Sequence, residues 1–170
     1  MSEVSSKKQK QSPSLKARAL RLLSLREYSR KSLAAKLAES EARWAKLTEV
    51  ELDAQASASN IEVVLNDFEA RGWLSDERFA EALVRRRSER YGTRKIQEEL
   101  QRAGVDSKQS AKLLSDLKET EFERAYELWS KKYGAKAQDQ KERARQYRFL
   151  ASKGFSLDVV TRVVGGQTPD

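Results

Sequence analysis

An apolar helical stripe that ends in glycine and a large apolar residue recurs along this chain, at Gly72-Trp73, Gly104-Val105 and Gly154-Phe155. A glycine there suits the left-handed position just past a helix, and the apolar residue after it can fold back onto the last turn. The recurrence extends to spacing. Tyr28 precedes Leu33 by five residues and Leu37 by nine, and Tyr91 precedes Ile96 and Leu100 by the same intervals. Phe79-x-x-Ala82 leading to Tyr91-Gly92 parallels Phe122-x-x-Ala125 leading to Tyr133-Gly134, one residue shorter. A three-helix unit of about 40 residues hides little apolar surface alone, so successive copies are expected to stack and share a core. The period is irregular, and tetratricopeptide repeats, helix pairs with a near-fixed period of about 34, fit less well.

The pass along the chain predicts helices throughout. Leu15, Ala19 and Leu22 share one face, the pattern breaks at Glu27-Tyr28, and Ser29 is placed to cap a second helix carrying Leu33 and Leu37. From Ser40 to Ser59 the periodicity weakens, leaving loop and loosely packed helix both open. Asn60 is expected to cap a helix with Ile61, Val64, Leu65 and Phe68 inward, closed by Gly72, with Trp73 packed back. Ser75 heads the next helix with Asp76 and Glu77 in its first turn and Phe79, Ala82 and Leu83 inward, stopping near Tyr91-Gly92. Thr93 is expected to cap the helix of Ile96 and Leu100, and Asp106 that of Leu113, Leu114 and Leu117. The stripe Phe122, Ala125, Tyr126, Trp129, Tyr133 follows, then a helix ending at Gly154, then one capped by Ser156 with Leu157, Val160, Val163 and Val164 inward. The domain reading is a disordered basic tail over 1–14 and three-helix repeats over 15–74, with an insertion at 40–59, then 75–118 and 119–166. Residues 167–170 are read as a disordered end.

Composition narrows the chemistry. With no cysteine and no histidine, disulfides, thiolate nucleophiles, thiolate zinc sites and imidazole bases are all excluded. No cofactor or metal is expected, and a helical enzyme is the least favoured class. No run of 18 apolar residues occurs, so no membrane association is expected and the chain is read as cytoplasmic. Only 2 of 170 residues are proline and 35% are charged, which favours an all-α array with wide solvated faces and a thin core. Net charge is +8, split as +3 over 1–75, +3 over 76–118 and +2 over 119–170, so the basic excess is not confined to the tail and points to a polyanionic partner.

The segment Gly72-Trp73-Leu74-Ser75-Asp76-Glu77-Arg78-Phe79-Ala80, followed by Arg90-Tyr91-Gly92 and Ile96-Gln97-Glu98-Glu99-Leu100, closely resembles the central signature of the RecX family. Leu25-Arg26-Glu27-Tyr28-Ser29 and, near the end, Arg148-Phe149-Leu150 with Lys153-Gly154-Phe155 extend the likeness over roughly Leu15 to Val164. Thr93 departs from it, standing where many relatives carry proline. The resemblance implies an elongated, curved array of three tandem three-helix units. It also implies a monomeric bacterial regulator that lies in the groove of the RecA recombinase filament on single-stranded DNA and modulates, mostly by inhibition, its extension, ATP hydrolysis, strand exchange and co-protease role.

Two basic runs are the candidate partner-binding residues. Arg85, Arg86, Arg87, Arg90, Arg94 and Lys95 form the denser one. With Phe79 at zero, Arg86 falls near about 340° and Arg90 near about 20° on a continuous helix, the stripe that carries Leu83. A helix whose inward face turns cationic is expected to project past its core, where guanidinium forks suit carboxylate or phosphate. The alternative is that these arginines snorkel from the core rim or pair with Glu98 and Glu99. Lys131, Lys132, Arg145 and Arg148 represent the second run, part of which a solvated face alone would explain. Trp73 and Trp129 are expected in the core, with only Trp44 off pattern. The competing function is a stand-alone DNA-binding protein, since Leu15 to Leu37 loosely resembles a helix-turn-helix. Against it, the second helix of that pair offers only Arg30, Lys31 and Lys36 as long cationic readers.

Overall fold

The computed structural model describes residues 12–170; most of the tail expected to be disordered lies outside the described residues. Those residues carry nine α-helices and no strand: α1 (Leu15–Leu25), α2 (Arg30–Thr48), α3 (Ala54–Ala70), α4 (Asp76–Arg87), α5 (Thr93–Arg102), α6 (Ala111–Glu119), α7 (Glu121–Lys132), α8 (Gln140–Ser152) and α9 (Leu157–Val164). They gather into two compact units. One runs up to Arg26 and resumes over Ser32–Leu74; the other holds Glu27–Lys31 and Ser75–Asp170.

In the first unit, Ser14 caps α1 through its hydroxyl, which accepts from the Ala17 N–H at 3.1 Å. Arg18 ties α1 to α2, donating to Ser40 Oγ at 2.7 Å and pairing with Glu41. The stretch left open in sequence is largely helical: α2 continues to Thr48 and α3 begins at Ala54, not after Asn60. Asp53 makes that earlier start, its Oδ1 accepting from the N–H groups of Gln55 and Ala56, both at 3.0 Å. Ile61, Val64, Leu65 and Phe68 are buried as expected. Trp73 is a correction: it is 44% exposed, edge-on to Phe68 at 5.3 Å, and Leu74 takes the buried place.

The second unit has two cores. Ala80, Leu83, Ile96, Leu100, Val105, Leu114 and Leu117 form one, flanked by Phe79 and Tyr91. Ala125, Trp129, Leu150, Phe155, Val159, Val160, Val163 and Val164 form the other. Each fully buried aliphatic or aromatic side chain contributes about 1.5–3 kcal/mol. Leu157, expected inward, is 64% exposed, and Val159 is buried in its stead. The Trp129 indole N–H donates at 2.9 Å to Gln146 Oε1, so a wholly buried glutamine is satisfied.

One device appears twice. The first residue of α4, Asp76, accepts through Oδ1 from the N–H of Arg30, the first residue of α2, at 2.7 Å. The first residue of α7, Glu121, accepts through Oε1 from the N–H of Thr93, the first residue of α5, at 2.8 Å. Thr93 is therefore not the cap the sequence suggested. It is the first helical residue, and its orphan N–H is satisfied by a carboxylate 28 residues downstream. Asp106 likewise caps a turn rather than α6, its Oδ1 accepting from the Gln109 N–H at 2.7 Å before the helix begins at Ala111.

Between the two cores, backbones touch. The Gly92 N–H donates to the Lys153 carbonyl at 2.9 Å, and a Cβ on Gly92 would sit 2.3 Å from Gly154 C, Gly154 O and Phe155 N. Gly92 has φ −75°, open to any residue, so what demands glycine there is space.

Candidate functional site

The arginines that close α4 sit at the negative end of its dipole, where cations are stabilised whatever else they do. Arg85, Arg86 and Arg90 are exposed, and none makes a side-chain hydrogen bond or ion pair among the described residues. The acids proposed as their partners are engaged elsewhere: Glu99 with Arg87 at 3.2 Å, and Glu98 with Arg94 at 3.4 Å and Arg102 at 3.9 Å. Arg90 does not share a helical stripe with Arg86, because α4 ends at Arg87 with Ser88 as its C-cap.

That early stop has a physical cause which the sequence did not announce. Arg124, on α7, donates through Nη1 to the carbonyls of Ser88 and Tyr91, both at 2.7 Å, and through Nη2 to that of Leu117 at 2.9 Å. A guanidinium holding these carbonyls fixes the turn 88–91 and hence where Tyr91 stands. Burial pulls the pKa of Arg124 down from its ordinary value, and the negative charge of Glu121 opposes that shift. Arg124 and Glu121 thus position the candidate site without belonging to its surface.

The remaining candidates divide into those the fold brings together and those it does not. Around the Tyr91 ring stand Lys95 at 4.8 Å, Arg87 at 5.3 Å and Lys153 at 5.4 Å from the centroid. Lys153 also lies 5.6 Å from the Phe149 centroid, over which Lys132 stands at 4.1 Å. Phe149 in turn packs edge-on to Tyr133 at 5.7 Å. Arg94 is exposed and reaches across to the Ala151 carbonyl at 3.4 Å. Lys131, Arg145 and Arg148 are exposed and make no side-chain hydrogen bond or ion pair among the described residues.

Lys153, Tyr91 and Phe149 belong to this cluster although reasoning from charge runs overlooked them. For two of them the signal lay in the repeat itself, since Tyr91 and Lys153 each immediately precede one of its glycines. Trp44 is half-buried and lines a separate cleft in the first unit with Arg21, Leu25 and Arg43. Among the described residues there is no group of three or more metal-ligating side chains, and no helix is long and apolar enough to cross a membrane.

Comparison with known proteins agrees with this architecture. Residues 75–114 match the family model for the second three-helix domain of RecX, and 119–164 that for its third. A protein named regulatory protein RecX from Leptothrix cholodnii is 43% identical over 151 residues, 89% of this chain and 87% of that protein. A namesake from Ralstonia pickettii is 38% identical over 153 residues, 90% of this chain and 87% of that protein. At the level of fold, the crystal structure of RecX from Lactobacillus salivarius matches with a TM-score of 0.62 and 19% identity, covering 89% of this chain and 92% of that one. From these likenesses over most of the chain and the tandem helical triplets, the chain belongs to the RecX family.

Proposed function

We propose that this protein regulates a recombinase filament: it binds in the groove of RecA-coated single-stranded DNA and inhibits filament extension, with ATP hydrolysis, strand exchange and co-protease activity falling in consequence. The observation that carries the reading is the likeness to proteins named as RecX regulators along nearly their whole length, not in one module alone. The unpaired cations Arg85, Arg86, Arg90, Lys131, Arg145 and Arg148 support it, because exposed guanidinium and ammonium groups lacking acids of their own favour a polyanionic or acidic partner. In this reading the working molecule is a cytoplasmic monomer whose triplets span 15–74, 75–118 and 119–166, and it performs no chemistry itself.

The experiment is to add purified protein to RecA, single-stranded DNA and ATP, following hydrolysis and filament length. Hydrolysis and length should both fall. The double variant Arg86→Glu with Arg90→Glu should bind filaments more weakly while its far-ultraviolet circular dichroism is unchanged. RecA turnover indifferent to saturating protein would overturn the reading, and tight, steeply salt-dependent binding to naked DNA in its place would favour an autonomous DNA-binding protein.

A further inference from the structure

Three lysines in the second unit lack the acid partners that several cations nearby have found. Arg87 has Glu99, Arg94 has Glu98 and Lys112 has Asp116. Lys95, Lys132 and Lys153 make no ion pair among the described residues; their ammonium groups converge on two aromatic rings, Tyr91 and Phe149, with Lys153 shared between them. Both rings are half-buried, each resting on one of the two cores; an ammonium over the remaining face is held by a modest attraction, and cations that crowd one ring repel each other. Such contacts are readily exchanged for a charged anion.

We infer that Tyr91 and Phe149 are stacking platforms for bases of a single nucleic-acid strand, and that Lys95, Lys132 and Lys153 cover these ring faces until the strand's phosphates draw them away. The exchange leaves every group satisfied: each lysine trades a weak ring contact for a charged phosphate oxygen, and the vacated face receives a base. An acidic protein surface would answer the charge but has no use for two flat faces. A duplex keeps its own base faces stacked inside, so an unpaired strand is the partner that fits both halves of the surface. The platforms are held in place beforehand, Tyr91 by the Arg124 bond to its carbonyl at 2.7 Å and Phe149 by Tyr133 at 5.7 Å. This inference rests on the filament reading only for the source of the strand; it adds which component of the complex this face touches.

The test uses the full chain and a fluorescein-labelled 20-nucleotide oligothymidylate, with anisotropy measured across a salt series. Wild-type protein should bind measurably at low salt. Lys95→Ala, Lys132→Ala and Lys153→Ala together should weaken binding and make the log–log salt slope shallower by about 2, at roughly 0.7 per lost phosphate contact on a single strand. Tyr91→Leu with Phe149→Leu should weaken it about tenfold or more without altering the slope, whereas Tyr91→Phe, which keeps the face, should bind as wild type. Circular dichroism verifies that each variant is folded. No binding by the wild type at low salt, or a triple variant with wild-type affinity and slope, overturns the inference. If the triple variant binds naked strand normally yet no longer affects RecA turnover, this face meets the recombinase, and the regulatory reading survives while the inference falls. Strand binding as described by a protein without effect on RecA does the reverse.

Discussion

Substituting Gly92 by alanine is expected to pry apart the two cores of the second unit. Its added methyl would lie 2.3 Å from three backbone atoms of Gly154 and Phe155, where ordinary contacts fall at about 3.5–4.0 Å. Backbone cannot swing aside as a side-chain tip does, so the segments must part by about 1 Å or more. Separation on that scale lengthens the 2.9 Å hydrogen bond from Gly92 N–H to the Lys153 carbonyl past usefulness, at about 0.5–1.5 kcal/mol. Overpacking adds about 1–3 kcal/mol. A loss of about 2–4 kcal/mol follows, or roughly 5–15 °C in Tm for a chain of this size. Gly72→Ala is the control. Gly72 has φ +73° with nothing within 4 Å of an added methyl, so its cost is left-handed strain alone, about 1–2 kcal/mol. Thermal unfolding by circular dichroism should rank Gly92→Ala clearly below Gly72→Ala, and hydrogen exchange should show the Gly92 amide deprotected. Equal melting of the two variants, with that amide still protected, would refute the reasoning.

Other substitutions separate the groups that position the site. Glu121→Gln keeps an acceptor for the Thr93 N–H and should cost about 1–2 kcal/mol by urea unfolding, whereas Glu121→Leu strands both that donor and the Arg124 charge and should cost about 3 kcal/mol or more. Trp129→Phe leaves Gln146 Oε1 buried without its donor and should lose about 1–3 kcal/mol by the same assay. Asp67 should titrate below 3.8 by carboxyl NMR, chiefly because Arg71 hydrogen-bonds it and secondarily because Lys16 does. A carboxyl whose folded pKa is depressed stabilises the fold above its unfolded pKa and loses that contribution as pH falls through the folded value, so Asp67→Asn should flatten the acid side of the stability profile.

What sequence disclosed was what neighbouring residues decide. Ser75 and Ser156 cap their helices through hydroxyls three residues from the bonded N–H, at 3.2 and 3.3 Å, and Gly104-Val105 closes α5 with the Val105 N–H on the Leu100 carbonyl at 2.9 Å. Such geometry is local and therefore readable. Between Ser40 and Ser59 large apolar residues are sparse, and the end of α2 mixes alanine, glutamate, arginine and lysine with the lone Trp44 and Leu47, held by propensity rather than by a stripe. The Thr93 partner and the Ser88 and Tyr91 carbonyls held by Arg124 lie 28 to 36 residues away, beyond any local pattern. For the candidate surface, the charge runs were legible, but Arg87, Lys95 and Lys132 meet around Tyr91 and Phe149 only because α4, α5, α7 and α8 bring their ends together.

The borrowed carboxylates at the starts of α2 and α5 make each of those helices depend on the triplet that follows. At α8 the dependence stops: Asp139 supplies its own acceptor, taking the Glu142 N–H at 2.8 Å. The third triplet thus caps its second helix from a chain neighbour, so Asp139→Ala should loosen the start of α8 while leaving the starts of α2 and α5 untouched.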